Sequence, residues 1–401
     1  MSERVFNVLT SLAYLFLLGL LLGFLARKLR LPPLVGMLLT GIILGPQVLN
    51  LLDGSLLSIS AELRQLALII ILTRAGLALD IDDLKAAGRP AVLMCFVPAS
   101  FEILGVVLLA PPLLGVSVVE AAVMGAVLAA VSPAVVVPRM LRLMEEGYGS
   151  EHKIPQLIMA GASADDVFVI VLFTAFTGLA KGEGFSPAAL VGVPLAIATG
   201  VLGGLAVGLL LALFFTKIHI RDTGKVLVFL STSFLLVALE HTLDGVFPFS
   251  GLLAVMAAGM ALSRRRGDLG VRLSAKFSKL WVAAELLLFA LVGATVDLKY
   301  ALAAGGAAVL VLLGALTFRM GGVFVCMLGS RLARKERLFC MLAYLPKATV
   351  QAAIGGVPLS MGLACGNLVL TVAVLAILIT APLGALLIDA TYQKLLKKDG
   401  A

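Results

Sequence analysis

The chain has 401 residues, of which 61% are hydrophobic and only 13% are charged, and its formal net charge is +8. Soluble domains carry about 25% charged residues, so this composition excludes an ordinary soluble enzyme or binding domain. It predicts an all-α polytopic membrane protein, in which the 41 glycines suit close packing of helices.

The cysteines do not indicate a metal site or a disulfide framework. Cys95, Cys326, Cys340 and Cys365 all lie in apolar stretches, and no two of them have CxxC spacing. Cysteines in such surroundings behave as small hydrophobic residues.

Apolar runs bounded by charged residues, glycines and prolines divide the chain into about thirteen predicted transmembrane segments. The first is too long for the h-region of a signal peptide and has no A-x-A cleavage site, so we expect it to be retained. The loops are too short to hold a separate soluble domain, and no P-loop or GxGxxG motif is present. The segments are 5–26, 32–49, 63–80, 90–110, 117–138, 155–179, 187–216, 225–243, 248–263, 277–297, 300–329, 337–359 and 366–389.

The basic residues indicate the orientation of the chain. With the N-terminus outside, the cytoplasmic loops and the C-terminal tail hold most of the 31 lysines and arginines, including the clusters Arg27–Arg30, Arg264–Arg266 and Arg331–Arg337. Cytoplasmic loops are the ones enriched in Lys and Arg, so the N-terminus is predicted outside and the C-terminus in the cytoplasm. The positive charge therefore does not indicate a nucleic-acid partner. Contact of these clusters with anionic lipid is expected as a by-product.

Thirteen segments allow two sets of six around a central linker, with the second set inverted relative to the first, as is typical of secondary transporters. Segments 5 and 12 occupy equivalent positions and carry "AAVSPAVVVP" and "AYLPKATVQAAIGGVP". Pro133 and Pro346 lie near the middle of the membrane in these two segments. Because proline removes a backbone donor and clashes with the preceding turn, both helices are predicted to break there. Broken helices expose backbone groups that can bind ions.

The stretch "GASADDVFVIVLF", residues 161–173, places two adjacent aspartates inside an apolar segment. Asp165 lies about ten residues past Pro155, hence roughly 15 Å deep, near the middle of a ~30 Å hydrocarbon core. A charge at that depth costs at least ~2.5 kcal/mol. Intramembrane carboxylates are therefore candidates for function, and we take Asp165 and Asp166 as the centre of a site.

Three further charged residues lie near the middle of their segments. Glu102 and Arg319 occupy segments 4 and 11, which the repeat makes symmetry mates, so we expect them to pair as a structural ion pair that could also gate. Asp165, Asp166 and Lys347 then leave one negative charge uncompensated. An unpaired buried charge is costly, so the site requires one cation, either a metal ion or a proton.

Hard oxygen ligands suit Na⁺ or Li⁺, and the predicted metal ligands are Asp165 and Asp166. Ser132, which precedes the break in segment 5, is the preferred third ligand, and Ser163, Thr174 and free carbonyls at the break are further candidates. A site that holds either Na⁺ or H⁺ exchanges one for the other when it opens alternately to the two sides. Apart from these transported ions, no cofactor is expected.

Two other interpretations explain the aspartates differently. In a purely structural one, both aspartates pair with Lys347. In an enzymatic one, the aspartates form an intramembrane protease, but such enzymes need the two carboxylates on facing helices. Asp165 and Asp166 are ~100° apart on one helix, and there is no second GxGD-like element. The sequence therefore predicts a carrier rather than an enzyme.

The motifs "GASADDVFVIVLF" and "YLPKATVQAAIG" resemble the NHA branch of the monovalent cation–proton antiporters, which includes the sodium/hydrogen exchanger 9B proteins. The double aspartate is shared by many antiporters, whereas PKATVQAAI is specific to this branch. By similarity, Asp165 and Asp166 match the ion-binding and proton-carrying pair of the family. Glu102 and Arg319 match its buried ion pair, and Lys347 matches the lysine of its second broken helix.

The resemblance also implies an NhaA-like antiporter fold with two broken helices that cross. It implies a homodimer with an elevator-like transport step. Residues 1–89 and 187–276 would then form mainly the dimer or scaffold domain, and residues 90–179 and 277–401 mainly the core ion-transport domain. The chain lacks the long N-terminal extension of animal members, which suggests a bacterial protein of the inner membrane.

The sequence thus predicts a Na⁺(Li⁺)/H⁺ antiporter that extrudes Na⁺ and maintains pH. A K⁺/H⁺ antiporter with the same site, and a sodium-coupled carrier of an organic anion on the same fold, are the alternatives. Many relatives with a double aspartate carry lysine where this chain has Arg319, which bears on the coupling ratio. Since Arg319 cannot release a proton, one H⁺ per Na⁺ is expected, with Lys347 as the residue on which that expectation depends.

Overall fold

The structure, a computed structural model, describes residues 7–78, 88–183, 187–243 and 246–398 of the chain. Within these ranges the side chains at 163, 164, 167, 182–183, 187–194, 197, 241 and 298–304 lie outside the description. The described residues form α-helices joined by short connections, with one isolated antiparallel bridge between Tyr148 and Lys398.

The helices follow one another along the chain with short connections between them, apart from a π-helical turn at Leu179–Glu183. In chain order they are α1 (Val8–Lys28), α2 (Pro33–Leu44), α3 (Gly54–Ser58), α4 (Ser60–Ala78), α5 (Gly88–Met94), α6 (Val97–Leu114), α7 (Val118–Leu128), α8 (Pro133–Glu145), α9 (Ile154–Gly178), α10 (Pro187–Lys217), α11 (Asp222–Leu243), α12 (Gly251–Arg265), α13 (Gly267–Ala294), α14 (Leu298–Cys326), α15 (Arg334–Ala343), α16 (Thr349–Ile354), α17 (Val357–Ser360) and α18 (Gly366–Leu395).

The all-helical membrane fold predicted from the sequence is confirmed. Every predicted segment overlaps one of these helices or a consecutive group of them. Among the described residues, eight helices are long and apolar enough to cross a membrane. The number of spans, thirteen, stays a prediction.

Helix α13 begins ten residues before the predicted segment, at Gly267 rather than 277. The charged stretch had suggested a loop there. Its apolar residues Leu269, Leu273 and Phe277 recur every four residues and are buried, so they form the inner stripe of an amphipathic helix. Charge on the opposite face does not prevent this helix from forming.

Two predicted segments are each divided into consecutive helices by non-helical residues at the predicted prolines. Residues 129–132, which we call the first break, separate α7 from α8, and residues 345–348, the second break, separate α15 from α16. Pro133 is the first residue of α8. Proline disfavours helical backbone in the residue before it, and Ser132 accordingly has extended angles of φ −90° and ψ 109°.

Helices α6 and α14, which carry Glu102 and Arg319, pack closely along their length. A Cβ atom on Gly105 would lie 2.9 Å from Phe318, and one on Gly314 would lie 2.3 Å from Leu109. Small residues let the backbones of membrane helices approach in this way. The close approach allows the two charged side chains to meet.

The chain divides into two compact units. The first comprises residues 1–63, 82–180 and 286–401, and the second comprises residues 64–81 and 181–285. All the charged residues singled out in the middle of the membrane belong to the first unit. The units are defined by packing alone, so the assignment of scaffold and core helices stays a prediction.

Within the second unit, α10 and α12 pack through a stripe of glycines at four-residue spacing. A Cβ atom on Gly200 would lie 2.5 Å from the carbonyl oxygen of Ser250, just before α12, and Cβ atoms on Gly204 and Gly208 would lie 2.2 and 2.3 Å from carbonyl oxygens of α12. Only glycine permits so close a contact between two helices. This pair of helices therefore forms a closely packed element of the second unit.

In the first unit, Gly384 of α18 lies against the proline of the second break. A Cβ at Gly384 would be 2.3 Å from Cγ of Pro346, and the rigid ring cannot move away without displacing the break. We expect Gly384→Ala to lower thermal stability in detergent by roughly 1–3 kcal/mol, the usual cost of overpacking. Gly306→Ala in α14, where no described atom would lie within 4 Å of the new Cβ, is the matched control. Equal melting temperatures of the two variants would contradict the close contact.

Candidate functional site

Five ionisable side chains form one buried cluster in the first unit. Glu102 comes from α6, Asp165 and Asp166 from α9, Arg319 from α14 and Lys347 from the second break. None is more than 7% exposed. With all five ionised, three acids face two bases, so the cluster has one uncompensated negative charge. Burying such a charge without a partner is costly.

Arg319 connects α6 and α9 to the first break and to the residue that precedes the second break. Its Nη1 donates to Oε2 of Glu102 at 2.8 Å, and its Nη2 donates to Oδ2 of Asp165 at 2.9 Å. Its Nε donates to the carbonyl of Tyr344 at 2.6 Å, and Nη1 also donates to the carbonyl of Ala129. Guanidinium offers five donors in a fixed plane and stays charged. Arg319 is therefore a permanent positive charge that orients several neighbours at once.

The ammonium of Lys347 bonds to Glu102 and not to the aspartates. Its Nζ lies 2.5 Å from Oε2 of Glu102, the same oxygen that accepts from Arg319. Its backbone N–H donates to Oγ1 of Thr380 in α18 at 2.8 Å. The structural interpretation in which both aspartates pair with Lys347 is therefore wrong.

The expected pairing is incomplete in a second respect. The predicted repeat pairs Arg319 with Glu102 alone, whereas the guanidinium also forms an ion pair with Asp165. Position along a helix gives the depth of a side chain, but not which neighbours its face meets. Glu102 therefore pairs with both Arg319 and Lys347, and Asp165 also pairs with Arg319.

Backbone groups of the first break also bind the cluster. The N–H of Val131 donates to Oδ2 of Asp165 at 3.0 Å. The N–H of Ser132 donates to the carbonyl of Pro346 at 2.8 Å, which joins the first break to the second. Interruption of the helices frees these groups, since N–H groups at the start of a helix have no partner within it.

Several buried oxygen atoms of this region have no hydrogen-bond partner in the part of the chain that the structure describes. They belong to carboxylates, hydroxyls and an amide, all hard oxygen donors of the kind that bind alkali cations or protons. They are Oδ1 of Asp165, Oδ1 of Asp166, Oγ of Ser132, Oε1 of Glu102, Oγ1 of Thr349 and Oε1 of Gln351.

Comparison with known proteins identifies the class of transporter. Residues 12–394 match the family described as sodium/hydrogen exchanger, transmembrane. The chain belongs to the sodium/hydrogen exchanger family. It is therefore a multi-pass membrane transporter of the cation–proton antiport class and not an enzyme, and the predicted family is confirmed.

Curated members of the family are similar over most of this chain. Sodium/hydrogen exchanger 9B2 of Homo sapiens is 37% identical over 392 residues, which cover 92% of this chain and 70% of that protein. Sodium/hydrogen exchanger 9B1 of Mus musculus is 33% identical, with coverage of 92% and 66%.

The fold of this exchanger is also found in a solved antiporter. The sodium proton antiporter MjNhaP1 of Methanocaldococcus jannaschii superimposes with a TM-score of 0.84, covering 97% of this chain and 98% of the other at 22% identity. At that identity the likeness shows a shared fold.

The three hydroxyl candidates for cation binding in this exchanger differ in outcome. Ser132 is buried, and its Oγ has no partner among the described residues. The side chain of Ser163 lies outside the described residues. Thr174 donates to the carbonyl of Ile170 in its own helix at 2.9 Å. It is eight residues beyond Asp166, hence roughly 12 Å along the helix, so Thr174 is wrong as a ligand.

Three buried residues that contact the breaks or Arg319 in this exchanger were not predicted from the sequence. Gln351 and Thr380 are buried and bond to backbone groups of the breaks, and Tyr344 packs under Arg319 with its ring centre 5.0 Å from the guanidinium. A signal existed for Gln351, since an amide inside the apolar run TVQAAI requires hydrogen-bond partners. Thr380 carried no comparable signal, because a threonine hydroxyl can bond to its own helix.

Proposed function

We propose that this exchanger transports Na⁺ or Li⁺ in exchange for H⁺ at Asp165 and Asp166. The observation that carries the proposal is the pair of adjacent buried carboxylates, each with an oxygen that lacks a partner in the described chain. They lie in a cluster whose fixed bases leave one negative charge. A single Na⁺ or a single H⁺ restores neutrality, so the two ions compete for one site.

The two aspartates have different roles in this proposal. Oδ2 of Asp165 accepts from Arg319 and Val131, so its carboxylate is held in place and acts as an oriented ligand. Asp166 has no ion pair within 4 Å in the described residues and carries the exchanged proton. Ser132 supplies a neutral oxygen. With these roles, Na⁺ and H⁺ each neutralise the same single negative charge, and Arg319 keeps its position in both states.

Alternating access would move the core helices, residues 90–179 and 277–401, against a scaffold of residues 1–89 and 187–276 in an elevator-like step. The proposed assembly is a homodimer in the inner membrane. The excess of Lys and Arg in the predicted cytoplasmic loops supports an N-terminus outside and a C-terminus inside, with anionic lipid near the basic clusters. Reporter fusions at either end test the orientation, since opposite signals are expected from the two termini.

In proteoliposomes with an imposed pH gradient, we expect Na⁺ and Li⁺ to collapse the gradient and K⁺ to do so at least tenfold more weakly. The physical reason is that two carboxylates and a hydroxyl form a small, highly charged set of hard ligands. K⁺ activity equal to that of Na⁺ would favour the K⁺/H⁺ alternative.

A sodium-coupled carrier of an organic anion is less well supported. Such a carrier needs a positive group available to its substrate, but Arg319 and Lys347 are both bonded to carboxylates of the cluster. Sodium-driven uptake of an organic anion without proton flux would establish that alternative.

We further propose a stoichiometry of one H⁺ per Na⁺. Arg319 cannot titrate, and Lys347 bonds to Glu102 rather than to the cation-binding aspartates. Binding of Na⁺ therefore does not displace the partner of the lysine, and no second proton is released.

The expected result on a solid-supported membrane is Na⁺-driven proton flux without sustained current. The same measurement on Lys347→Gln provides the decisive comparison. A sustained current in the wild type that disappears in this variant, while exchange persists, would show that the lysine titrates and that the ratio is not 1:1.

A further inference from the structure

The first break is held at every residue by groups from other elements. The carbonyls of residues 128–130 and the N–H groups of residues 131 and 132 all have partners outside their own helices. Such groups are left over when a helix is interrupted, and burial requires each to be satisfied. The partners are Gln351 for Leu128 and Ala130, Arg319 for Ala129, Asp165 for Val131 and Pro346 for Ser132.

Gln351 supplies two of these five bonds from a single amide. It lies in α16, and its side chain is fully buried. Its Nε2 donates to the carbonyl of Leu128 at 3.1 Å and to that of Ala130 at 2.9 Å, which uses both of its hydrogens. Neither carbonyl has another partner among the bonds that the described residues show. The amide therefore connects the two broken helices to each other.

The carbonyls that Gln351 binds flank the cation site in sequence. Ala130 is adjacent to Val131, whose N–H binds Asp165, and it lies two residues before Ser132. A change in the backbone at Ala130 changes the direction of both groups. The end of a half-helix also carries partial negative charge on its free carbonyls, and the amide hydrogens neutralise part of it.

We propose that Gln351 is the positioning residue of the cation site. By holding the carbonyls of Leu128 and Ala130, it fixes the first break so that the N–H of Val131 stays bonded to Asp165 and Ser132 keeps its position in the break. It also withholds these two carbonyls from the cation, which leaves carboxylates and hydroxyl as ligands. The transport consequence rests on the proposed Na⁺/H⁺ exchange, whereas the structural consequence does not.

The structural consequence is tested by amide hydrogen exchange in detergent-purified protein. In Gln351→Met, which keeps the length of the side chain but has no donor, we expect exchange in peptides covering residues 129–137 to be roughly tenfold faster, because two hydrogen bonds are lost. Peptides from α10 in the second unit should be unchanged. Gln393→Met, at an exposed glutamine of α18 whose amide donates to the hydroxyl of Tyr392, is the matched control.

Transport kinetics provide a second test. For Gln351→Met we expect the KM for Na⁺ to rise roughly tenfold while kcat falls less than threefold, because the ligands are misdirected but the aspartates remain. A purely structural role would lower the amount of active protein and leave KM unchanged.

Gln351→Glu adds a pH signature. An ionised glutamate cannot donate to a carbonyl, whereas a protonated one donates a single O–H bond. We therefore expect the Na⁺ affinity of this nearly isosteric variant, measured relative to the wild type at the same pH, to recover as the pH falls. The relative affinity of Gln351→Met should stay low at every pH tested. Parallel pH profiles of the two variants would count against the positioning role.

The two proposals fail in distinguishable ways. If the wild-type protein does not transport Na⁺ in exchange for H⁺, the proposed function is wrong. Amide hydrogen exchange in the variants still tests the role of Gln351 in that case. An unchanged rate of amide hydrogen exchange at residues 129–137 in Gln351→Met overturns the positioning role. If neither variant folds, the wild type alone decides, since rapid exchange of its Val131 and Ser132 amides would show that the break is not held.

Discussion

Replacing Asp166 by Asn is expected to abolish Na⁺/H⁺ exchange, with a rate at least a hundredfold below that of the wild type. The amide of Asn can neither ionise nor trade a proton for Na⁺, and no other carboxylate can take its place. Glu102 and Asp165 both form ion pairs with the basic side chains of the cluster. The measurement is Na⁺-driven dissipation of a pH gradient in proteoliposomes. A second readout is the increase in melting temperature that Na⁺ gives the purified protein, which should be absent in Asp166→Asn.

The companion variant Asp165→Asn should be impaired less completely. An Asn oxygen can still accept from the N–H of Val131 and can still act as a neutral ligand. Loss of this charge leaves Glu102 as the one carboxylate that pairs with Arg319 among the described residues. Asp268→Asn, at an exposed position in the first turn of α13, is the control. Exchange at the wild-type rate in Asp166→Asn would remove the central claim.

Removing the carboxylate of Glu102 is expected to destabilise the protein strongly. One of its oxygens accepts from both Arg319 and Lys347, so Glu102→Ala leaves two buried cations facing the remaining acids. Breaking a buried ion pair by removing one partner typically costs about 3–5 kcal/mol. Thermal unfolding in detergent should therefore show a large loss.

Double replacements separate the contributions of the two bases. Removing Arg319 together with Glu102 should recover part of the loss, but it leaves Lys347 and Asp165 without their partners. Removing Lys347 together with Glu102 keeps the bond between Arg319 and Asp165, so we expect greater recovery in that double variant. Strictly additive losses in both cycles would show that these residues do not interact.

The sequence was sufficient to locate the helices and the breaks because both depend on local signals. Apolar length indicates a membrane segment, and proline favours an interruption, as at Pro133 and Pro346. Proline alone does not decide it, since Pro111, Pro112, Pro138 and Pro382 lie inside helices. The five buried charges were also predictable, since a charge at mid-membrane depth requires a reason. These signals need no knowledge of which helices are neighbours.

The pairing of the charges was not predictable in this way. Lys347 lies in non-helical backbone, so no helical period indicates the direction of its side chain. Glu102 accepts two cations on one oxygen, which a simple matching of opposite charges does not anticipate. The amide of Gln351 was overlooked because its partners are carbonyls freed by a break more than 200 residues away, at separations of 223 and 221 residues.

The wide spacing of the ionic partners along the chain has a consequence for biogenesis. Asp165 and Arg319 are 154 residues apart, and Glu102 and Lys347 are 245 apart. At ~5–20 residues per second, the ribosome adds Arg319 roughly 8–30 s after Asp165. During that interval the acidic helices enter the membrane before either of their basic partners has been made. The nascent chain must therefore carry its carboxylates in protonated form or in a hydrated environment beside the insertion machinery, until α14 and the second break arrive to neutralise them.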